Sequence, residues 1–301
     1  MSTQSIVPNL WCNANAEQVA QFYAAAFPDT TWQVLGRYPT EGLPEFQQRF
    51  AGLPVAVEVV IGGYRIGLIN ADDTFAPNRS ISFLLNFDPA SFASEAAARD
   101  QLDAMWGILW DGGSPIVPLD EYPHSKRYGW LRDQFGVTWH LMLTDPEGPP
   151  RPFITPLLLF SGDVGHRARA AIAKYTALFT PSAVGTVASA AQSPEAVMYA
   201  DFQLNGQWFA AMDTPELSSS GPDQESFNCG VSLEVQCADQ AEIDRIWDGL
   251  TAVPEAEMCG WLADEFGVSW QVTPANMGEL MARPNAYQHM LAMKKIIIAD
   301  L

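Results

Sequence analysis

His140 is the residue best placed to do chemistry, because it ends a segment that the chain contains twice. The first copy, GWLRDQFGVTWHL, covers residues 129–141, and the second, GWLADEFGVSWQV, covers residues 260–272. At the position of His140 the second copy has Gln271. An imidazole can act as an acid, a base or a hydrogen-bond donor near neutral pH, whereas an amide can only form hydrogen bonds. The alternative for His140 is a histidine whose hydrogen bonds are satisfied within the fold.

Other candidate side chains are spread along the chain. Glu58 lies in a strand-like run and could act as a base if it faced a pocket, because burial raises the pKa of a carboxyl; we favour the alternative, a solvated charge on the outer face. His124 lies in the stretch YPHSKRY, which could close over an anionic ligand or remain a solvated loop. Trp11, Trp130 and Trp139 could form an aromatic wall for a flat ligand, although core packing is the first interpretation of each.

The similarity between the two halves extends beyond this segment and keeps the same order, which indicates duplication of a whole folding unit. LDAMWGIL, residues 102–109, matches IDRIWDGL, residues 243–250. Both have apolar residues at i, i+3, i+4 and i+7, which predicts amphipathic helices. An earlier helical pattern at residues 19–28 matches another at residues 170–181.

Short alternating runs predict strands between these helices. Such runs flank Gly62-Gly63 in the first half and Asn205-Gly206 in the second, which is typical of β-hairpins. A further strand follows in each half, ISFLLNF and VSLEVQC. Each half is therefore predicted to contain two β-α-β-β-β modules.

The length of 301 residues and a hydrophobic content of 48% predict a globular protein with two cores. The proline-rich stretch TDPEGPPRP, residues 144–152, prevents a helix or a central strand, so we place two domains at residues 1–145 and 152–301.

The formal charge of −19 would repel a phosphate backbone, so no nucleic-acid partner is expected. The sequence has no run of ~20 apolar residues and its start does not resemble a signal peptide, so we expect no membrane association and a cytoplasmic protein.

The order of these motifs resembles a known family. The run PNLW near the start, a helix ending in Y-x-x-x-F, the hairpins and above all GWLxDxFGVxW are similar to the PhnB-like branch of the glyoxalase/bleomycin-resistance/extradiol-dioxygenase (vicinal oxygen chelate) superfamily. This branch is often described as 3-demethylubiquinone methyltransferase-like. The resemblance covers both halves and implies an α+β fold of tandem glyoxalase-like domains, each made of paired βαβββ modules that form a cupped mixed sheet. The fold hosts isomerases, oxygenases, hydrolases and drug-binding proteins without a reaction, so it leaves the function open.

The resemblance also implies positions for metal ligands. In catalytic members the cup holds a divalent metal, bound by residues of the first and fourth strands of each module. Carried onto this chain, the last ligand position falls on His140 in the first half and on Gln271 in the second. The remaining positions are Asn9 and Leu157 for the first strand, Ser82 and Ser232 for the fifth strand, and the stretches 66–69 and 209–212 for the fourth strand. A catalytic metal generally needs three protein donors, which neither half supplies, so we expect neither a metal nor another cofactor.

We therefore expect metal-free binding of a small, partly aromatic or apolar molecule, with the more polar pocket around His140 in the first half and a largely structural second half. The alternative is a metal-assisted lyase, isomerase or oxygenase in the first half. No glycine-rich turn joins a strand to a helix, so a methyl-donor site of the Rossmann type is not predicted. The two copies would replace a homodimer within one chain, and both a monomer and a further homodimer remain open. The candidate catalytic residues are His140 and Glu58, and the candidate ligand-binding residues are Asn9, Trp11, Ser82, His124, Trp130, Trp139 and Gln271.

Overall fold

The computed structural model describes residues 4–190, 193–214 and 226–301 and has an α+β fold with two mixed β-sheets. The first half of the chain contains β1 (Ile6–Asn13), α1 (Ala16–Ala26), β2 (Thr30–Arg37), β3 (Pro54–Ile61), β4 (Tyr64–Ala71), β5 (Ile81–Phe87), α2 (Glu95–Trp110), β6 (Ser114–Tyr122), β7 (Ser125–Arg132) and β8 (Thr138–Leu143). The second half contains β9 (Ile154–Ser161), α3 (Ala168–Leu178), β10 (Ala183–Ala190), β11 (Ser193–Leu204), β12 (Gln207–Thr214), β13 (Val231–Cys237), α4 (Gln240–Leu250), β14 (Trp261–Ala263), β15 (Ser269–Pro274), α5 (Met277–Leu280) and α6 (Ala286–Leu291).

The chain forms two compact units, and neither unit is one half of the sequence. Unit 1 consists of Met1–Ala76 and Phe227–Leu301, and unit 2 of Pro77–Ser226. The strand order is β14-β15-β13-β1-β4-β3-β2 in unit 1 and β10-β11-β12-β9-β5-β8-β7-β6 in unit 2. Each sheet is completed where the first strands of two modules pair, β1 with β13 and β5 with β9. Because each of these pairs joins the two halves, residues 1–145 and 152–301 describe the repeat but not the compact units.

Three of the four modules have the predicted β-α-β-β-β order, and the fourth is shorter. In the last module the segment TAVPEAEM forms one 3-10 turn, Pro254–Ala256, and an isolated bridge in place of a strand. The corresponding segment of the first half forms β6 and pairs with β7. Unit 1 therefore has seven strands and unit 2 has eight.

The helices pack on one face of each sheet, and the cores lie between them. In unit 1, α1 packs on β1 to β4, and α4 packs on β13 and β15; in unit 2, α2 packs on β5 to β8, and α3 packs on β9 to β12. The apolar positions predicted for α2 and α4 are all buried: Leu102, Met105, Trp106, Leu109, Ile243, Ile246, Trp247 and Leu250. The face of each sheet that is turned away from these helices is called the open face below. Within the described residues, no helix has the length and apolar character of a membrane span.

The repeated segment forms a turn that a buried aspartate holds together. Asp133 Oδ1 accepts hydrogen bonds from the amides of Phe135 (2.8 Å) and Val137 (3.1 Å), and Oδ2 accepts one from Nε1 of Trp139 (2.9 Å). In the second copy Asp264 makes the same three bonds, to Phe266, Val268 and Trp270. The motif D-x-F-G-V-x-W is therefore repeated because both units need this turn.

The structure also explains why the first copy has glycine at two positions. Gly129 faces α2, where a Cβ atom would collide with the ring of Trp106. Gly136 has a φ of +88°, in the left-handed region that favours glycine. The copies also differ at Arg132/Ala263, Gln134/Glu265, Thr138/Ser269 and Leu141/Val272, and the residue after the second tryptophan is His140 in one and Gln271 in the other.

Candidate functional site

His140 lies on the open face of unit 2, and both of its ring nitrogens have a partner. Ser82 Oγ lies 3.0 Å from Nε2, and the hydroxyl of Tyr128 lies 2.7 Å from Nδ1. The ring of Trp130 stacks on the imidazole, with centroids 4.4 Å apart and planes at 16°. Side chains from β5 and β7 therefore fix the ring of a residue on β8.

Burial keeps His140 neutral. Its side chain is 3% exposed, and burial lowers its pKa to about 3. A neutral imidazole carries one N–H and one bare nitrogen, so one of the two neighbouring hydroxyls donates to the ring and the other accepts from it. At neutral pH His140 is a positioned, uncharged hydrogen-bonding group and a weak base.

The surroundings of His140 are apolar. Leu157, Leu159 and Ala210 form a buried cluster on the open face of unit 2, and Trp130, Tyr199 and Met212 pack against it. The sequence placed the more polar pocket around His140 and assigned Asn9 to the same half, but the two residues belong to different units. Ser82 on β5 lies opposite Leu157 on β9, whereas Asn9 on β1 lies in unit 1, opposite Ser232.

The open face of unit 1 is the polar one. Gln271 Nε2 donates to Ser232 Oγ over 2.9 Å, as an uncharged substitute for the histidine–serine pair of unit 2. Asn9 Nδ2 donates to Glu234 Oε2 (3.2 Å), and Thr273 Oγ1 donates to Glu234 Oε1 (2.7 Å). The expectation that the second half is largely structural and the first half polar therefore fails, because each open face combines strands of both halves.

The positions that the glyoxalase resemblance assigns to metal ligands do not fit a divalent metal. The strand register selects Asn9, Gly67, Ser232 and Gln271 in unit 1, and Leu157, Ala210, Ser82 and His140 in unit 2. A catalytic metal needs three good protein donors. At these positions unit 2 offers one imidazole and one hydroxyl, and unit 1 offers two side-chain amides and one hydroxyl. Across the described part of the chain, no three His, Cys, Asp or Glu side chains are grouped to hold a metal ion.

Glu58 is on the open face of unit 1, not on the outer face that the sequence favoured. Its position opposite Gly67 places it beside Asn9, and it is 8% exposed. Its carboxylate accepts from Arg65 Nε (2.6 Å) and from Gln33 Nε2 (3.1 Å). These partners compensate its burial, so the geometry does not favour Glu58 as a base.

The three candidate tryptophans have different positions. Trp139 is fully buried on the helix side of β8 and donates to Asp133, which agrees with core packing, its first interpretation, and not with a place in a ligand wall. Trp11 lies on the open face of unit 1 and donates from Nε1 to the carbonyl oxygen of Asp72 (2.7 Å). Trp130 lies on the open face of unit 2, against His140.

His124 lies in the turn between β6 and β7, at a cleft of about 350 Å³. Its ring contacts that of Tyr128, with centroids 4.7 Å apart. Lys126, the second residue of β7, is paired with Glu95 (2.9 Å), and two further carboxylates, Glu121 and Asp145, line the cleft. The sequence left open a loop that closes over an anion and a solvated loop; the segment is the end of a hairpin, and its lysine is already paired.

Sequence reasoning missed Tyr128 and the leucine cluster. The signal for Tyr128 was its spacing of two residues from Trp130, because alternate residues of a strand share a face. The run ITPLLLFS of β9 is apolar on both faces, so it carried no periodic signal for the leucines that lie beside His140.

Comparisons with known proteins agree with this architecture. The family model described as 3-demethylubiquinone-9 3-methyltransferase matches residues 4–142 and 152–273. A solved chain described as putative 3-demethylubiquinone-9 3-methyltransferase, PhnB protein, from Bacillus cereus is 26% identical; the match covers 47% of this chain and 100% of that one, with a TM-score of 0.37. Glyoxalase I from Zea mays is 10% identical and covers 95% of both chains, with a TM-score of 0.50. No curated protein matches the sequence.

The family match covers both copies and most of the chain, and the likeness to glyoxalase I extends over nearly its whole length. The chain therefore has a tandem glyoxalase-like fold and belongs to the PhnB-like family described as 3-demethylubiquinone-9 3-methyltransferase.

Proposed function

We propose that the chain binds a small apolar or aromatic molecule at the open face of unit 2 without a metal ion. The observation that supports this proposal is the state of His140, which is neutral and bonded through both nitrogens to Ser82 and Tyr128. A metal ligand needs a free nitrogen lone pair, and a general base needs a pKa near the working pH. His140 has neither, so its suitable role is to orient a ligand.

The shape of the ligand follows from the side chains around His140. Leu157, Leu159 and Ala210 are buried, and Trp130 presents a flat ring. Trp130, Tyr199 and Met212 are partly buried and form the boundary of the cluster with solvent. Apolar walls with a few positioned polar groups are typical of small-molecule sites.

The alternative of a metal-assisted lyase, isomerase or oxygenase is not favoured, because the eight positions considered above supply no three-donor set in either unit. Methyl transfer, which the family description names, is also not favoured. Gly62 and Gly63 form the hairpin turn between β3 and β4, and Gly112 follows α2, so neither site is the strand-to-helix turn that binds a methyl donor in Rossmann enzymes.

The test is a fluorescence titration with N-phenyl-1-naphthylamine, a neutral aromatic probe. The double variant Leu157→Asn/Ala210→Gly gives unit 2 the residue pair that unit 1 has at Asn9 and Gly67. We expect its affinity for the probe to fall about tenfold or more, because apolar contact is lost. The matched control, Asn9→Leu/Gly67→Ala, changes unit 1 in the opposite sense and should leave the affinity unchanged. Absence of saturable binding to the wild type, or equal affinity of both double variants, contradicts the proposal.

The pairing of modules across the two halves supports a second proposal, that the duplication replaces a homodimer. Within unit 1, β1 pairs with β13, and within unit 2, β5 pairs with β9, so contacts that two identical chains would make are made inside one chain. A chain that makes these contacts internally needs no second copy, so we expect a monomer. Light scattering coupled to size exclusion should then give a mass near 33.0 kDa. A mass of twice that value would contradict the monomer.

A further inference from the structure

Two polar groups beside His140 have no hydrogen-bond partner within the described part of the chain. They are Nε1 of Trp130 and Oγ1 of Thr138, both shielded from solvent. Trp130 lies directly opposite His140 in the β7–β8 pair, and Thr138 lies two residues before His140 on the same strand. Alternation along a strand therefore places all three on the open face of unit 2. Thr138 itself is completely buried.

A third unpartnered polar group is the hydroxyl of Ser80. Ser80 is 2% exposed, and its Oγ also has no partner among the described residues. It immediately precedes β5, and its carbonyl oxygen accepts from the amide of Leu159, which belongs to the leucine cluster. Ser80 lies two residues before Ser82, which bonds to His140. Buried polar groups in native proteins are nearly always hydrogen-bonded, so the unpaired groups of Trp130, Thr138 and Ser80 indicate a missing partner.

Unit 1 does not repeat this feature, so the fold alone does not cause it. The counterpart of Thr138 is Ser269, whose Oγ donates to Cys229 Sγ (3.6 Å). The counterpart of Ser80 is Gly230, which has no side chain. Among the described residues, the counterparts of Trp130, Thr138 and Ser80 in unit 1 contribute no shielded side-chain group without a partner.

The chemistry of these groups specifies the partner. An indole N–H can only donate, and the two hydroxyls are free to donate. Their surroundings are apolar, and the adjacent imidazole is neutral, so the site offers no charge to compensate an anion. The complementary group is a neutral oxygen with two lone pairs.

We propose, building on the function proposed above, that the ligand of unit 2 is an aromatic or apolar carbonyl compound of the ketone, quinone or amide class. Its carbonyl oxygen accepts hydrogen bonds from Trp130 Nε1 and Thr138 Oγ1, and its body lies against the leucine cluster. Trp130 and Thr138 are then the specificity-determining residues, and His140 orients Trp130 by stacking.

The test compares acetophenone with ethylbenzene, which has a similar shape but no acceptor. Each compound displaces N-phenyl-1-naphthylamine from the protein, and the two affinities give a preference for the carbonyl. We expect the wild type to bind acetophenone about tenfold more tightly, as a satisfied buried donor predicts. Thr138→Val is isosteric and Trp130→Phe retains a stacking ring; each should remove most of this preference, which is taken as the ratio of the two affinities so that a general change in apolar binding cancels. The indole N–H signal of Trp130 can be identified in nitrogen–proton spectra because the variant Trp130→Phe lacks it. Its chemical shift should change when acetophenone is added and should not change when ethylbenzene is added.

The matched control variants are Ser269→Ala and Trp261→Phe at the corresponding positions of unit 1, which should keep the wild-type preference. Equal wild-type affinities for the two compounds would overturn the carbonyl assignment and leave the proposed function standing. Tighter binding of benzoate than of acetophenone would overturn the neutral character of the acceptor. Failure of all these probes to bind would instead contradict the proposed function itself.

Discussion

The hydroxyl of Tyr128 lies 2.7 Å from Nδ1 of His140. Burial raises the pKa of Tyr128, so the phenol remains protonated and able to donate across the physiological pH range. With Ser82 at the other nitrogen, this contact fixes an uncharged imidazole on the open face of unit 2. The same contact joins the histidine to the hairpin that carries His124 and Trp130.

Tyr128→Phe should destabilise the protein by about 1–3 kcal/mol, because it leaves a buried ring nitrogen without a partner. Urea unfolding gives the free energy. Tyr122→Phe is the matched control, since the Tyr122 hydroxyl donates to the carbonyl oxygen of Pro118 in an exposed position (2.9 Å). If both variants lost the same free energy of unfolding, the hydrogen bond to His140 would contribute no more stability than the exposed one.

The stability of the protein should fall in acid in a way that depends on His140. Its pKa of about 3 in the folded chain lies below the ordinary value of 6.5. The unfolded chain therefore takes up the proton first, so stability from this group is fully present above the unfolded pKa and is lost as the pH falls toward the folded pKa. Between pH 6 and pH 4 the free energy of unfolding of the wild type should fall faster than that of His140→Gln, by up to about 1.4 kcal/mol per pH unit. Parallel curves for the two proteins would contradict a buried neutral histidine.

The stability of the protein should depend on the carboxylate of the aspartate that holds the turn of the repeated segment. Asp133→Asn places an amide nitrogen or a weaker acceptor against the Trp139 indole, and should cost about 1–3 kcal/mol. Asp264→Asn should cost a similar amount in unit 1, because its three bonds are the same. Asp145→Asn, at an exposed carboxylate that caps a turn, is the control and should change the unfolding free energy little. Loss confined to the exposed control would be inconsistent with a structural role for the repeated aspartates.

Gly67 and Asn9 should be energetically coupled. The Asn9 amide occupies the space that a Cβ atom on residue 67 would need, so Gly67→Ala should cost about 1–3 kcal/mol. Unit 2 has leucine and alanine at the same two positions, so Asn9→Leu should recover part of that loss in the double variant. A double-mutant cycle by urea unfolding measures the coupling. Strictly additive effects would mean that the two side chains do not compete for this space.

The sequence predicted the modules of the fold better than their pairing. Helical spacing and hairpin glycines define each module locally, and α2, α4 and the β3–β4 hairpin form as predicted. The pairing of β1 with β13 is decided by which sheet edges meet in three dimensions, and no local pattern encodes that choice. For this reason the separation of Asn9 and His140 into different units could not be predicted from the sequence.

The contacts of single site residues were also only partly predictable from the sequence. The proximity of Ser82 to His140 is consistent with their shared assignment to one site, because both lie in the same module. Trp139 was a candidate for the ligand wall although it is adjacent to His140 in the sequence, and adjacent residues of a strand face opposite sides. Glu58 is paired with Arg65 on the neighbouring strand, and that contact depends on the register of β3 and β4.

Calorimetric titration can show whether unit 2 binds a small apolar molecule without a metal ion. N-phenyl-1-naphthylamine would be titrated into protein dialysed against EDTA, and again after addition of zinc, manganese or nickel. We expect single-site saturation with the same affinity in every case, and weaker binding by the variant Leu157→Asn/Ala210→Gly. Binding that requires an added metal, or that is unaffected by this double variant, would contradict it.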